Sequence, residues 1–151
     1  MSLTDHFTAS ITVDQTPDEV FAAITDVRGW WNENLIGDSA ALDEQFVFFD
    51  EGIRFSRFRL TEVEPGKRIV WQVVDSYLAF VSDHDEWTGT TVVFDIAATT
   101  DGTTLHFTHQ GLTSTSECYE ACSKGWSFYI NKSLPQLLAT GTGQPIPKDE
   151  G

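Results

Sequence analysis

The feature that most constrains the fold is a long apolar stripe near the end of the chain. Between Ser114 or Ser116 and about Ala139, large apolar residues recur at steps of three or four, which predicts a helix with one buried face. The stripe consists of Tyr119, Cys122, Trp126, Ile130, Leu134 and Leu137. At about 1.5 Å per residue, roughly 24 residues extend about 36 Å, so the helix is long enough to cross a whole β-sheet. Because Pro135 lacks an N–H, we expect a kink near residues 131–132.

The segment before this helix contains a series of β-strand patterns. In His6–Val13, apolar and polar residues alternate, which predicts a first strand with one buried face. Further strands are predicted at 37–42 (weak), 44–50, 53–63, 68–74, 90–97 and 104–110. Most connections are short, and turn residues such as Pro65-Gly66 and Asp101-Gly102 separate the strands. We therefore expect about seven strands in an antiparallel meander.

Two short helices are predicted between the first strand and the others. A helix is predicted to begin at Pro17 and end near Thr25. Thr16 is suited to be its N-cap, Pro17 its first residue, and the acidic residues that follow suit its first turn. A second brief helical turn is predicted at residues 27–31. This order of elements predicts an α+β fold in which the long helix covers the apolar face of a twisted antiparallel sheet. Residues 1–139 are interpreted as one domain and residues 140–151 as a flexible C-terminal tail.

Composition and charge exclude several classes of function. The chain of 151 residues carries 9 Lys plus Arg against 23 Asp plus Glu, a formal net charge of −14. Such a charge repels phosphate backbones and anionic lipid headgroups, so neither nucleic acid nor a membrane is an expected partner. The first residues lack the pattern of a signal peptide and the chain has two cysteines, which favours a cytoplasmic location. No dinucleotide-binding or phosphate-binding glycine motif is present, so no cofactor is expected.

Four separated segments resemble a known protein superfamily. They are Thr16–Thr25 (TPDEVFAAIT) followed by Trp30-Trp31, Glu62–Trp71 (EVEPGKRIVW), Thr103–Gly111 (TTLHFTHQG) and Gly125-Trp126. In order and spacing they look like the START-related superfamily, also called SRPBCC or Bet v 1-like. The group that the chain resembles most within it is the one named for homology to the activator of Hsp90 ATPase. The resemblance implies a helix-grip fold, in which a curved antiparallel sheet wraps the C-terminal helix with a cavity between them.

The strand faces and this resemblance together predict a pocket lined mainly by aromatic residues. On its own, each of these side chains is equally consistent with a solid core, since flat rings can fill the space between sheet and helix. A mostly apolar pocket with a few polar groups is the usual make-up of a small-molecule site. The candidate ligand-binding residues are Trp30, Trp31, Phe46, Phe48, Trp71, Val73, Phe94, His109, Trp126 and Tyr129.

His109 is the best polar candidate, because it shares a strand face with Leu105 and Phe107 and is predicted beside Trp126. It is suited to hydrogen-bond a ligand or to transfer a proton, and alternatively to be a core histidine with satisfied hydrogen bonds. His106 is predicted to face solvent. His84, in an acidic loop, is more typical of a solvated loop than of a metal site, and no metal is predicted.

Two further groups of residues leave alternatives open. Arg57 and Arg59 are expected on the outer face because Phe58 and Leu60 are suited to the core, but a register shifted by one would direct both guanidinium groups into the pocket. Cys118 and Cys122 are interpreted as packing residues of the last helix.

The function predicted first is binding of a small apolar or amphipathic molecule. The first alternative, implied by the resemblance, is a polyketide cyclase-like enzyme in which His109 acts with a pocket carboxylate or with Tyr129. The second alternative, also implied by the resemblance, is a partner or activator of an Hsp90-type chaperone ATPase in the stress response. The chain is expected to be a monomer or a homodimer, because sheet edges permit pairing.

Overall fold

The computed structural model describes residues 6–32, 35–39, 41–50, 54–78, 82, 87–100, 102–113 and 119–144. Within these residues, seven strands form one antiparallel sheet, and a C-terminal helix packs against its inner face. The strands are β1 (His6–Val13), β2 (Leu35–Gly37), β3 (Gln45–Asp50), β4 (Arg54–Glu64), β5 (Arg68–Leu78), β6 (Thr91–Thr99) and β7 (Gly102–Thr113). Their order is β1-β7-β6-β5-β4-β3-β2, so β1 and β2 are the two edges.

The predicted helix-grip architecture is confirmed. The weak strand predicted at residues 37–42 is wrong except at Gly37: β2 covers Leu35–Gly37, where it pairs with β3, and residues 38, 39, 41 and 42 lie outside any strand. Strands β5 and β7 are longer than predicted because their pairing with neighbouring strands continues beyond the apolar segments. Hydrogen bonding between strands does not depend on side-chain polarity, so the ladder extends through polar residues that pattern analysis places in loops.

The two short helices follow β1 as expected. Helix α1 (Pro17–Thr25) has a complete capping box, since the Thr16 hydroxyl accepts a hydrogen bond from the Glu19 backbone and the Glu19 carboxylate accepts one from the Thr16 backbone. Helix α2 (Val27–Trp30) delivers two adjacent indoles, Trp30 and Trp31, to the core.

The C-terminal helix, residues 119–140, has a change of helical geometry in its middle. It consists of α3 (Tyr119–Phe128), a π-helical turn (Tyr129–Ser133) and α4 (Leu134–Thr140). The Leu134 N–H donates to the Tyr129 carbonyl, a wide turn that accommodates the following Pro135 without an N–H. The irregularity expected near residues 131–132 lies within this turn. Residues 114–118, where the start of the helix was predicted, lie outside the described residues.

Directly after the C-terminal helix, the chain folds back onto it. Gly141 ends α4 with a φ of 84°, in the left-handed region that glycine favours. The Ser133 hydroxyl donates to the Trp30 carbonyl at 2.7 Å and accepts a hydrogen bond from the Gln144 N–H at 2.7 Å. A Cβ atom at Gly143 would lie 2.5 Å from the Gly29 carbonyl oxygen. We call this region, formed by Trp30, Ser133, Gly143 and Gln144, the closed end of the interior.

The prediction of a flexible tail over residues 140–151 stays a prediction. Residues 141–144 form the contacts of the closed end, and residues 145–151 lie outside the described residues. The extent of the domain over residues 1–139 likewise stays a prediction, although the buried apolar residues that the structure describes form one contiguous core.

Candidate functional site

Most of the residues predicted to line a pocket meet in one aromatic cluster on the inner face of the sheet. Trp31 stacks on Trp71 with ring centroids 5.9 Å apart and contacts Trp126 of the C-terminal helix at 4.7 Å. Trp71 also contacts Phe46 at 5.0 Å and Phe94 at 4.7 Å. All five rings are buried, and Trp30 and Val73 are buried beside them. The rings contact one another directly, so they fill much of the layer that sequence analysis predicted to be hollow.

A narrow cleft remains between this cluster and the C-terminal helix. Its open volume is about 10 Å³, roughly the space that one water molecule needs. The residues that line it are Trp31, Trp87, Cys122, Gly125, Trp126 and Tyr129, and we refer to it below as the cleft. Three of them, Trp31, Trp126 and Tyr129, are among the predicted ligand-binding residues. Whether these residues bind a ligand stays a prediction.

Gly125 leaves open space in the wall of the cleft. An added Cβ atom at this position in α3 would meet no heavy atom within 4 Å. A glycine inside a helix is less stable than alanine by about 0.5–1 kcal/mol, because it loses more conformational freedom on folding. The helix therefore tolerates an unfavourable residue at a position where a side chain would project into free space.

His109 lies next to the cleft in a chain of hydrogen bonds. The Trp126 indole N–H donates to His109 Nδ1 at 3.0 Å, and His109 Nε2 lies 2.9 Å from the Thr90 hydroxyl. Because Nδ1 accepts, the proton of the neutral ring is assigned to Nε2, which donates to Thr90 Oγ1. The Thr90 hydroxyl then donates to the Trp87 carbonyl at 2.6 Å. Both ring nitrogens are thus engaged, as expected for a satisfied core histidine.

Trp87 is a lining residue that sequence analysis missed. It lies in a turn before β6, is almost fully buried, and stacks on Trp126 at 6.0 Å with an interplanar angle of 8°. Its ring also meets the His109 ring at 4.7 Å and the Phe58 ring at 6.5 Å, both edge to face. The available signal was a lone large aromatic residue between the acidic segment 83–86 and Thr88-Gly89. The burial of Trp87 was not predicted, because the polar and turn-forming residues around it indicate solvent exposure.

Ser56 is a second position that sequence analysis missed. It shares the inner face of β4 with Phe58 and Leu60 and has no exposed surface (0%). Its hydroxyl has no hydrogen-bond partner, as is also the case for the indole N–H of Trp71. Ser76, opposite Ser56 on β5, does have a partner, since its hydroxyl lies 2.9 Å from that of Thr88. The alternation of Ser56, Phe58 and Leu60 was the signal that would have identified the position.

Other predicted positions lie elsewhere. Arg57 and Arg59 are exposed on the outer face, and Arg59 pairs with Asp43 at 2.7 Å, so the register that would have brought them into the pocket is wrong. His106 is exposed on the outer face, as predicted, and its Nδ1 lies 2.7 Å from the Ser10 hydroxyl. The side chain of Phe48, together with His84 and Cys118, lies outside the described residues.

Two shifted pKa values occur on the outer face of the sheet, at the turn between β4 and β5. A hydrogen bond with the Glu62 carboxyl group raises the pKa of the exposed Glu64, and a hydrogen bond with Asp95 raises the pKa of Arg68.

Within the part of the chain that the structure describes, no group of three His, Cys, Asp or Glu side chains is arranged to hold a metal ion. None of the described helices has the length and apolar character that crossing a bilayer would require.

Solved structures with a similar fold come from several bacteria. The solution structure of the Aha1 dimer from Colwellia psychrerythraea is 22% identical in sequence, with a TM-score of 0.73 over 91% of this chain and 98% of that one. A protein of Mesorhizobium loti is 20% identical, with a TM-score of 0.72 over 89% and 96%. DynU16, a protein of the dynemicin biosynthetic locus, is 18% identical, with a TM-score of 0.68 over 92% of this chain and 49% of that one.

The comparison with known sequences places the chain in a family. No curated protein matches it. The family model described as "Activator of Hsp90 ATPase homolog 1-like protein" matches residues 14–139, from just before α1 to the last turn of the C-terminal helix. The resemblance of the four sequence segments is thereby confirmed, and the chain belongs to the Activator of Hsp90 ATPase homolog 1-like family.

Proposed function

We propose that this chain is a binding protein for a small, flat, apolar molecule, which stacks on Trp126 between the sheet and the C-terminal helix. The observation that carries the proposal is the cleft, where three indoles and Tyr129 surround a helical glycine with open space above it. Aromatic walls hold flat ligands through stacking and through burial of apolar area. The polar group beside the cleft, His109, holds Trp126 and Thr90 through both ring nitrogens, so the contacts offered to a ligand here are mainly apolar.

Binding requires that one of the lining rings move. Pockets that enclose drug-sized ligands measure about 300–1,000 Å³, whereas the cleft measures about 10 Å³. Trp87 is the ring expected to move, because it is carried by a turn, whereas Trp126 and Tyr129 belong to the C-terminal helix. Trp31 is held more firmly, since Trp30, Phe58, Trp71 and Trp126 all contact it.

The net charge restricts the ligand further. A formal charge of −14 produces a negative potential over the surface that lowers the local concentration of anions. We therefore expect neutral or cationic ligands to bind more tightly than anionic ones of the same shape.

Fluorescence titration with the neutral dye N-phenyl-1-naphthylamine tests the proposal. We expect saturable binding to the purified protein, with enhanced dye emission. Gly125→Leu, which fills the cleft, is expected to weaken binding at least tenfold, and Ala121→Leu, which adds the same side chain at an exposed position of α3, is expected to leave it unchanged. Absence of saturable dye binding, or equal binding by both variants, would contradict the proposal.

A role as a chaperone partner is the second candidate. It is supported by the family and by an exposed apolar area on the outer face of β5, where Val74 and Tyr77 are 38% and 46% exposed and the half-buried Phe55 pairs with Tyr77. If this area binds an Hsp90-type ATPase, Tyr77→Glu should abolish stimulation of that ATPase, while Gly125→Leu should not. An unstimulated ATPase with the unmodified chain would dismiss this role.

The enzyme alternative is less well supported. A proton-transferring His109 needs a free ring nitrogen directed at the substrate, yet Nδ1 accepts from Trp126 and Nε2 lies against Thr90. A cytoplasmic location and a choice between monomer and homodimer stay predictions, the latter supported by the dimeric state of the Colwellia protein.

A further inference from the structure

We propose that Ser56 determines specificity at this site and that the ligand carries a neutral oxygen, a hydroxyl or a carbonyl group, on its ring. This inference rests on the proposed function and names the chemical class of its ligand. It starts from a polar atom that the folded protein buries without a partner.

Ser56 differs from the other buried serines that the structure describes. The Ser39 hydroxyl donates to the Thr25 carbonyl, that of Ser76 meets Thr88, and that of Ser133 donates to the Trp30 carbonyl. The Ser56 hydroxyl is fully buried and makes no hydrogen bond. Such a group is unfavourable in the folded state, because it has lost its bonds to water and gained none. In the ligand-free protein, alanine would be the more stable residue at this position. The presence of serine is therefore explained if its hydroxyl forms a hydrogen bond in the ligand-bound state.

The position of Ser56 connects it to the cleft through Trp87. Ser56 lies two residues from Phe58 on the same inner face of β4, and the Phe58 ring contacts the Trp87 ring. Ser56 also lies opposite Ser76, whose hydroxyl meets Thr88, the residue after Trp87. A ligand ring that takes the place of the Trp87 ring against Trp126 would therefore extend toward the inner face of β4. There the Ser56 hydroxyl could form a hydrogen bond with the ligand.

The chemistry of the serine hydroxyl determines what it recognises. A hydroxyl both donates and accepts, so it pairs with a hydroxyl or a carbonyl oxygen of a ligand. The guanidinium groups on the same strand, Arg57 and Arg59, are on the outer face and do not counter a negative charge inside. An anionic group is therefore disfavoured, and the oxygen should be neutral.

Competition of 2-naphthol and naphthalene against N-phenyl-1-naphthylamine tests the inference. We expect the unmodified protein to bind 2-naphthol about fivefold or more tightly than naphthalene, because only 2-naphthol bonds to Ser56. In Ser56→Ala, the preference should disappear through weaker naphthol binding, while naphthalene binds as before. The same variant should raise Tm by about 2–4 °C, because it removes an unpartnered buried hydroxyl.

Ser133→Ala is the matched control. It also removes a buried hydroxyl, but one with two partners at the closed end, so Tm should fall and the naphthol preference should remain. A preference that survives in Ser56→Ala, or a Tm that falls in that variant, overturns the role of Ser56 while leaving the binding function intact. If the unmodified protein binds neither compound, the proposed function and this inference fail together.

Discussion

The two ends of the interior are built differently. At the closed end, the Ser133 hydroxyl has two partners, and Gly143 is so tightly packed that a Cβ atom would lie 2.5 Å from a carbonyl oxygen. At the other end, which we call the cleft end, the Ser56 hydroxyl has no partner and Gly125 faces open space. The contacts at the closed end thus join residues 143–144 and α2 to the C-terminal helix through satisfied hydrogen bonds and close packing. The cleft end keeps unfavourable groups, which is the pattern expected where a protein binds something else.

The largest losses in the free energy of unfolding are expected when either of two buried tryptophans is replaced by alanine. Trp30→Ala should lower the free energy of unfolding by about 4–5 kcal/mol, because the variant loses a buried ring and the hydrogen bond from Trp30 Nε1 to the Ile24 carbonyl. Trp87→Ala should lower it by about 3 kcal/mol, since Trp87 lies in a turn that can adjust to part of the vacated space. Urea denaturation measures both values.

Added indole separates the two variants further. It should raise Tm of Trp87→Ala, because the vacated space adjoins the cleft, and leave Tm of Trp30→Ala unchanged. Rescue of both variants, or of neither, would remove the distinction between the two ends.

The hydrogen-bond chain through His109 should have an intermediate effect. His109→Phe keeps a ring of similar shape but removes the acceptor of the buried Trp126 N–H, so the free energy of unfolding should fall by about 1–3 kcal/mol. Dye binding should persist in this variant, because the role of His109 is to hold Trp126 and Trp87 in place and a phenyl ring of similar shape still packs against them. Loss of binding at unchanged stability would instead assign His109 a direct role with the ligand.

The smallest effects should come from the two glycines, and their signs should be opposite. Gly143→Ala should destabilise by about 1–2 kcal/mol, because the added methyl group meets the Gly29 and Ser133 carbonyls. Gly125→Ala should stabilise by about 0.5–1 kcal/mol through helix propensity. Thermal unfolding of the two variants side by side decides the matter, and a loss of stability in Gly125→Ala would show that the cleft wall is already filled.

Much of the architecture could be predicted because it depends on local patterns. The alternation in His6–Val13, the capping residues around Pro17 and the stripe of the C-terminal helix each act within a few residues. Strand β1, helix α1 and the described part of the C-terminal helix form as expected. The buried faces of Trp71 and His109 follow from the two-residue period of a strand. The turn that carries Trp87 could not be predicted in this way, because its ring is buried by contacts with Phe58 and Trp126, far away along the chain.

Sequence patterns alone specified the succession of strands and helices along the chain, the buried face of most of them and the aromatic character of the interior, while the face of β4 that carries Arg57 and Arg59 was left open. Only the tertiary structure decided how closely the rings approach one another, that they leave a cleft rather than an open cavity, and that Ser56, among the buried serines of the described residues, has no hydrogen-bond partner. The physical reason is that periodicity determines the direction of a side chain, whereas the space left between two layers depends on how all their side chains pack together.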